Sequence, residues 1–270
     1  LGDSMAYTCA YYPTPDATLD EAQENKFRLI FEKMNLKPGD KHLDVGCGWG
    51  SMVRYAARQG VKSLGVTLSK EQAEWAQAKI IEEGLEDLAE VRFLDYRDVT
   101  ETGFDAISSI GLLEHIGVKN FASYFEFLAD KLRPGGVMVN HCITYPDNHK
   151  TPQGDFINRY IFPDGELTGS GTIIYEMQDH GFEVFHEENI RFDYMRTLHD
   201  WCENLKANWD EAVALVGENT AKLWGMYMAG SEWGFEHDVV ELHQVVGIKL
   251  ASDGSRAGAP ERRWWNDSVF

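Results

Sequence analysis

The chain has 270 residues, 43% of them hydrophobic and 12% aromatic, which gives it enough apolar material for a sizeable core and excludes the disordered class. Forty-four acidic residues against 25 basic ones leave a formal charge of −19, which opposes general binding to nucleic acid and repels an anionic membrane surface at long range. Cys9, Cys47, Cys142 and Cys202 form no CxxC pair, and no apolar run approaches the ~18 residues of a membrane span; a disulfide scaffold, a zinc module and a transmembrane helix are set aside, and a reducing cytoplasm fits best. The opening Leu1-Gly2-Asp3-Ser4 has neither an initiator Met nor a signal pattern, so a start inside a longer gene product stays open.

Along the chain the hydrophobic period switches repeatedly between two and about 3.6, the mark of an α/β fold. Thr18 and Glu21 make a capping box, after which Leu19, Ala22, Phe27, Ile30, Phe31 and Met34 share one helical face until Lys37-Pro38-Gly39. Residues 41–45 read as a strand, 51–58 as a helix and 63–68 as a second strand, followed by another capping box at Ser69 and Gln72. The next helix ends near Gly84, and strands follow at 90–94 and 104–110. Phe121, Tyr124, Phe125, Leu128 and Leu132 form an amphipathic stripe that Pro134-Gly135-Gly136 closes before a strand at 137–143. Helical crossovers between these strands imply parallel pairing. Residues 144–182 read as irregular with short helices, 183–186 as a strand, 193–234 as helical and aromatic, and 239–249 as a final strand. One domain over 1–250 is expected, with a lid or insertion at about 144–235 and a Gly/Ser/Ala tail of unassigned purpose at 251–270 ending near Trp264-Trp265.

The sharpest local signal is Leu43-Asp44-Val45-Gly46-Cys47-Gly48-Trp49-Gly50, a strand running into a glycine turn that opens a helix. Such a turn lets backbone approach a ligand closely, and the helix N-terminus behind it offers free N–H groups, which implies a nucleoside-type cofactor. The spacing departs from the GxGxxG dinucleotide fingerprint, and no GK[ST] follows to wrap phosphate. The histidines form no H-x-x-x-H or H-E-x-x-H arrangement, so no metal site is expected.

The turn resembles that of class I S-adenosylmethionine-dependent methyltransferases. Thr67-Leu68-Ser69-Lys70-Glu71-Gln72 stands where many such enzymes carry an acidic ribose ligand, and is similar to the corresponding string of the cyclopropane fatty acid synthase family, which includes the mycolic acid cyclopropane synthases and fatty acid methyltransferases making methyl-branched chains. Tyr7-Thr8-Cys9-Ala10-Tyr11, Gly111-Leu112-Leu113-Glu114-His115-Ile116-Gly117, His141-Cys142-Ile143-Thr144 and the string from Arg159 to Leu167 carry the same resemblance, over roughly residues 4–250. It implies a mostly parallel Rossmann-like sheet with a helical insertion over an acyl site.

Carried over residue by residue, the resemblance places Tyr7, Thr8, Asp44, Gly46 and Gly48 at the methionyl end of S-adenosylmethionine and Thr67, Leu68, Ser69 and Gln72 on its ribose side. Tyr96 and Arg97 take the adenine edge, although the family often has Gly-Trp where this chain has Asp95-Tyr96. It also implies a bound bicarbonate ion acting as base. Glu114 would accept the proton of that ion, His141 and Tyr227 would donate to it, and Cys9 and Ile143 would contribute through main-chain N–H groups. The residues alone leave Tyr96 open as a loop aromatic, Glu114 as a helix-start carboxylate and His141 as a core histidine.

The activity so implied is methyl transfer to the cis double bond of an unsaturated fatty acyl chain, within a phospholipid, giving a cyclopropane or a methylene or methyl branch. A small-molecule O- or N-methyltransferase and a non-catalytic scaffold are the alternatives. The setting implied is cytoplasmic, with peripheral contact at the inner face of the membrane. Lys150, Arg159, Arg191 and Arg196 are candidates for a head-group patch or a solvated charged face. A partner reductase and a homo-oligomer stay open.

Overall fold

The computed structural model describes residues 1–149, 154–163 and 165–265. Lys150, and Asp164 within the 159–167 string, therefore lie outside the described residues. Thr18 opens α1 (Leu19–Lys33) with the full capping box: its side chain accepts from Glu21 N, while the Glu21 carboxylate accepts from Thr18 N at 2.8 Å. Next come β1 (Lys41–Val45), α2 (Ser51–Arg58), β2 (Lys62–Thr67), α3 (Lys70–Glu82), β3 (Ala89–Phe93), β4 (Phe104–Ile110), α4 (Phe121–Lys131) and β5 (Leu132–Thr144). The chain continues through α5 (Asp155–Tyr160), α6 (Ser170–Asp179), β6 (Phe182–Asn189), α7 (Arg191–Ala207), α8 (Trp209–Val216), α9 (Glu218–Glu236) and β7 (Glu241–Lys249).

The strands form one seven-stranded sheet in the order β3-β2-β1-β4-β5-β7-β6. Pairing is parallel from β3 to β5, and β7 runs antiparallel to both its neighbours. On one face Phe121, Tyr124, Phe125 and Leu128 of α4, with Ile173 and Met177 of α6, pack on Leu43, Val45, Ile107 and Met138. On the other, Phe27, Ile30 and Met34 of α1 and Met52 and Tyr55 of α2 cover Ala106, Val137, Val139 and Val246. A third cluster joins the N-terminal segment to α7 and α9 through Cys9, Tyr194, Trp201, Tyr227 and Phe235.

Two local readings need correction. Pro134-Gly135-Gly136 does not delay the fifth strand: β5 starts at Leu132 opposite Phe104, and the register jumps to Ala106 opposite Val137, so the loop bulges out of a strand already begun. The Ser69 cap is half a box. Ser69 accepts from Gln72 N, whereas Gln72 Oε1 takes the Thr67 hydroxyl at 2.8 Å. Residues 170–179, within the stretch read as irregular with short helices, form the ten-residue α6, which buries Ile173 and Met177.

Candidate active site

Both candidate cavities open beyond the carboxyl ends of the parallel strands, where an open α/β sheet leaves room for ligands. The first, about 500 Å³, lies above β1 and β2 and is lined by Tyr7, Thr8, Asp44, Gly46, Gly48, Thr67, Leu68, Ser69, Gln72 and Tyr96 among others. Every residue expected to hold the cofactor is there except Arg97, whose exposed guanidinium pairs with Asp95 at 2.6 Å and is not part of the lining. Gly46 sits at φ +74°, and a Cβ there would stand 2.9 Å from the Leu112 side chain, so backbone forms this wall because nothing larger fits. Tyr96 is no solvent-facing loop aromatic; its ring meets Tyr124 and Phe127 edge-on at 5.3 and 5.2 Å.

Asp44 is buried at the end of β1 and accepts from Ser108 Oγ at 2.6 Å. Behind Ser108 stand His42 and then Ser63, at 2.9 and 2.8 Å from the two ring nitrogens. Burial lifts the Asp44 carboxyl to about 6, opposed by the Ser108 hydrogen bond and the Lys26 charge. Lys26 was not singled out from the sequence, yet it lines this cavity, is fully buried, and donates to Thr8 Oγ1 at 2.9 Å. Its ammonium is pushed down to about 7 by burial. A lysine among the apolar positions of α1, four residues after Ala22 and four before Ile30, was the available signal.

The second cavity, about 510 Å³, is walled mainly by apolar and aromatic side chains from α5, α7 and α9 together with Phe162 and Leu167, including Phe156, Tyr194, Met226 and Phe235. Cys9, Glu114, His141, Ile143 and Tyr227 all line it. Tyr7, Thr8, Gly111 and His115 line both cavities, so the two spaces meet there.

Two polar atoms around this second space are buried without a hydrogen-bond partner: Glu114 Oε2 and His141 Nε2. Leaving them so is costly unless a polar ligand completes them. Burial raises the Glu114 carboxyl to about 7, against the lowering effect of backbone N–H bonds. Burial, reinforced by the Lys26 and Lys33 charges, keeps His141 neutral.

One of the expected anion contacts differs in detail. The Ile143 N–H is donated to Glu114 Oε1 at 2.7 Å, so it orients the carboxylate and is not free for an ion. The Cys9 thiol is fully buried, donates to Ala10 O at 3.0 Å, and is pushed well up by burial and the Asp193 charge, which suits packing and not nucleophilic chemistry. Tyr227 meets Phe162 and Trp224 edge-on at 5.8 and 5.7 Å on the wall of the same space. Of the candidate basic residues, Arg191 donates to Phe235 O and Glu236 O, and Arg196 to Thr14 O and Pro15 O.

Among the described residues no group of three or more His, Cys, Asp or Glu side chains is placed to hold a metal ion, and no helix is long and apolar enough to cross a membrane.

The chain is 60% identical over 98% of its length to a probable fatty acid methyltransferase of Mycobacterium tuberculosis, and 36% identical over 95% of its length to the cyclopropane-fatty-acyl-phospholipid synthase of Escherichia coli K12. It spans 62% and 65% of those two relatives. Among solved structures it superposes on mycolic acid cyclopropane synthase CmaA1 complexed with SAH and CTAB with a TM-score of 0.84, at 31% identity and covering 92% of this chain and 91% of that one. The fold is thus that of class I S-adenosylmethionine-dependent methyltransferases. The family model for mycolic acid cyclopropane synthetase matches residues 1–245, and the chain belongs to that family.

Proposed function

We propose that this chain transfers a methyl group from S-adenosylmethionine to the cis double bond of an unsaturated fatty acyl chain carried by a phospholipid, with a bicarbonate ion as base. The observation that carries this reading is the pair of cavities joined at Tyr7, Thr8, Gly111 and His115, one lined by the glycine turn and the other holding the unsatisfied polar atoms of Glu114 and His141.

The cofactor supplies an electrophilic sulfonium methyl group. Asp44 and the Gly46–Gly48 backbone suit its amino-acid end, Gln72 and Ser69 its ribose, and Tyr96 its base. An alkene is a weak nucleophile that becomes cationic on methylation, and the faces of Tyr7, Phe162, Tyr194 and Tyr227 can stabilise that charge in a site shielded from water. Proton loss then requires a base. Glu114 Oε2 offers an acceptor for the hydroxyl of bicarbonate and His141 Nε2 a donor to its oxygens, which is the complementarity such an ion needs.

The apolar walls suit an acyl chain, and the relatives named for acylphospholipid cyclopropanation and the neighbour bound to CTAB support a lipid substrate. The chemistry allows two products. Proton loss from the new methyl group closes a cyclopropane; a hydride shift first gives a methylene branch, which a partner reductase would saturate. Contact with the inner face of a membrane belongs to the same reading.

The test is incubation of the purified chain with labelled S-adenosylmethionine and monounsaturated phospholipid vesicles, with and without bicarbonate, followed by mass analysis of the released fatty acids. A one-carbon gain with unsaturation lost marks the cyclopropane, and the same gain with unsaturation kept marks the branch. No labelled lipid under either condition sinks the assignment.

A further inference from the structure

Behind the anion pocket a row of polar side chains crosses the sheet. His141 on β5 is the register partner of Gln244 on β7, and Gln244 is the partner of Glu188 on β6. Lys33, from the last turn of α1, inserts into this row: its Nζ lies 2.5 Å from Glu188 Oε2 and 2.7 Å from Gln244 Oε1. The other end of the Gln244 amide stands 3.1 Å from His141 Nδ1. Lys33 and Gln244 are fully buried, and neither lines a cavity.

The donor and acceptor roles follow from the lysine. Paired with a carboxylate, Lys33 carries three donors and no acceptor, so the amide atom facing it is oxygen and the one facing His141 is the NH2 group. His141 Nδ1 must then accept. A neutral imidazole has a single N–H, which is left on Nε2, the ring nitrogen with no protein partner at the second cavity.

We propose that Lys33 and Gln244 are positioning residues that hold His141 as an Nε2–H donor aimed at the anion in the acyl cavity. The inference rests on the bicarbonate reading for its consequence, but the relay itself can be measured without any turnover. Without the Lys33 ammonium the amide is free to turn, giving its NH2 to Glu188 and its oxygen to His141; the imidazole proton then moves to Nδ1, and an acceptor faces the anion.

The experiment uses the full chain labelled with 15N-histidine, His141 being assigned by the signals lost in His141→Asn. The expected result is protonated Nε2 and bare Nδ1 in the native protein, the reverse in Lys33→Met, and the native pattern again in Lys33→Arg. In methyl-transfer assays the bicarbonate concentration for half-maximal rate should rise about tenfold in Lys33→Met, the scale of lost support behind a ligand-binding histidine, with affinity for S-adenosylhomocysteine unchanged. Should Lys33→Met not fold, Gln244→Glu keeps the lysine paired and must place a proton on Nδ1. A bare Nε2 in the native chain, or an unchanged tautomer in the substituted protein, overturns the proposal. Tautomer reversal in a chain that methylates no lipid would support the relay and defeat the assigned reaction instead.

Discussion

Glu114 shows how burial and local hydrogen bonding set the working state of a single side chain. One carboxylate oxygen accepts from Ile143 N at 2.7 Å, and the other has no partner. Its folded value of about 7 stands above the ordinary 4.5, so the native state binds the proton more tightly than the unfolded chain. Stability from this group is therefore present at low pH and lost as pH rises from about 4.5 through about 7, a difference on the order of 3 kcal/mol. Urea titrations of the native chain and of Glu114→Gln across that window should differ by this contribution, the native chain losing more stability as pH rises. The same substitution is expected to cut methyl transfer about 10²-fold while leaving affinity for S-adenosylhomocysteine unaltered. On the proposed reaction, bicarbonate activation should increase as pH rises through about 7, because a proton on Glu114 Oε2 would turn that oxygen into a donor facing the ion. The motif around Glu114 was legible in the sequence, but the use of the Ile143 N–H to orient it was not, since that bond joins residues 29 apart.

At the scale of elements, the β1–α2 turn is legible in the sequence, because a strand, closely spaced glycines and a helix start are local features. Gly46 at φ +74° is tied down from both sides: its N–H is donated to Val66 O at 3.0 Å, and Leu112 fills the space a Cβ would need. Gly46→Ala should therefore weaken S-adenosylhomocysteine binding about tenfold, or about 1.4 kcal/mol, as calorimetry would show, and should lower the melting temperature as well. The Ser69–Gln72 cap was legible only in part. Capping geometry depends on residues three apart, whereas the turn of the Gln72 amide toward Thr67 depends on where β2 ends. Lys26 and Lys33 were passed over for a similar reason. Each is an ordinary helix former seven residues from the other on α1, and only the packing of that helix buries both.

Over the whole molecule, residues 251–265 do more than trail from the last strand. Arg256 makes a two-pronged pair with Glu183 at 2.8 and 2.7 Å, Trp264 stacks on Phe185 at 5.3 Å and donates to Glu32 O, and Trp265 is buried against His186 with its ring 5.9 Å from Lys33 Nζ. The tail thus seals the outer side of the Lys33–Glu188 pair. Trp265→Ala should cost about 3–5 kcal/mol in urea denaturation, the usual penalty for emptying a buried tryptophan site. By itself the sequence determined the α/β class, the order of the strands along the chain and the glycine turn, because each is written in short-range periodicity or in one contiguous string. Only the tertiary structure decided that two cavities share Tyr7, Thr8, Gly111 and His115, that Arg97 faces away, and that Lys33 reaches Gln244 across 211 residues of chain. Those outcomes depend on strand register and on how α1 packs against the sheet, and residues distant in sequence meet only once the core has formed.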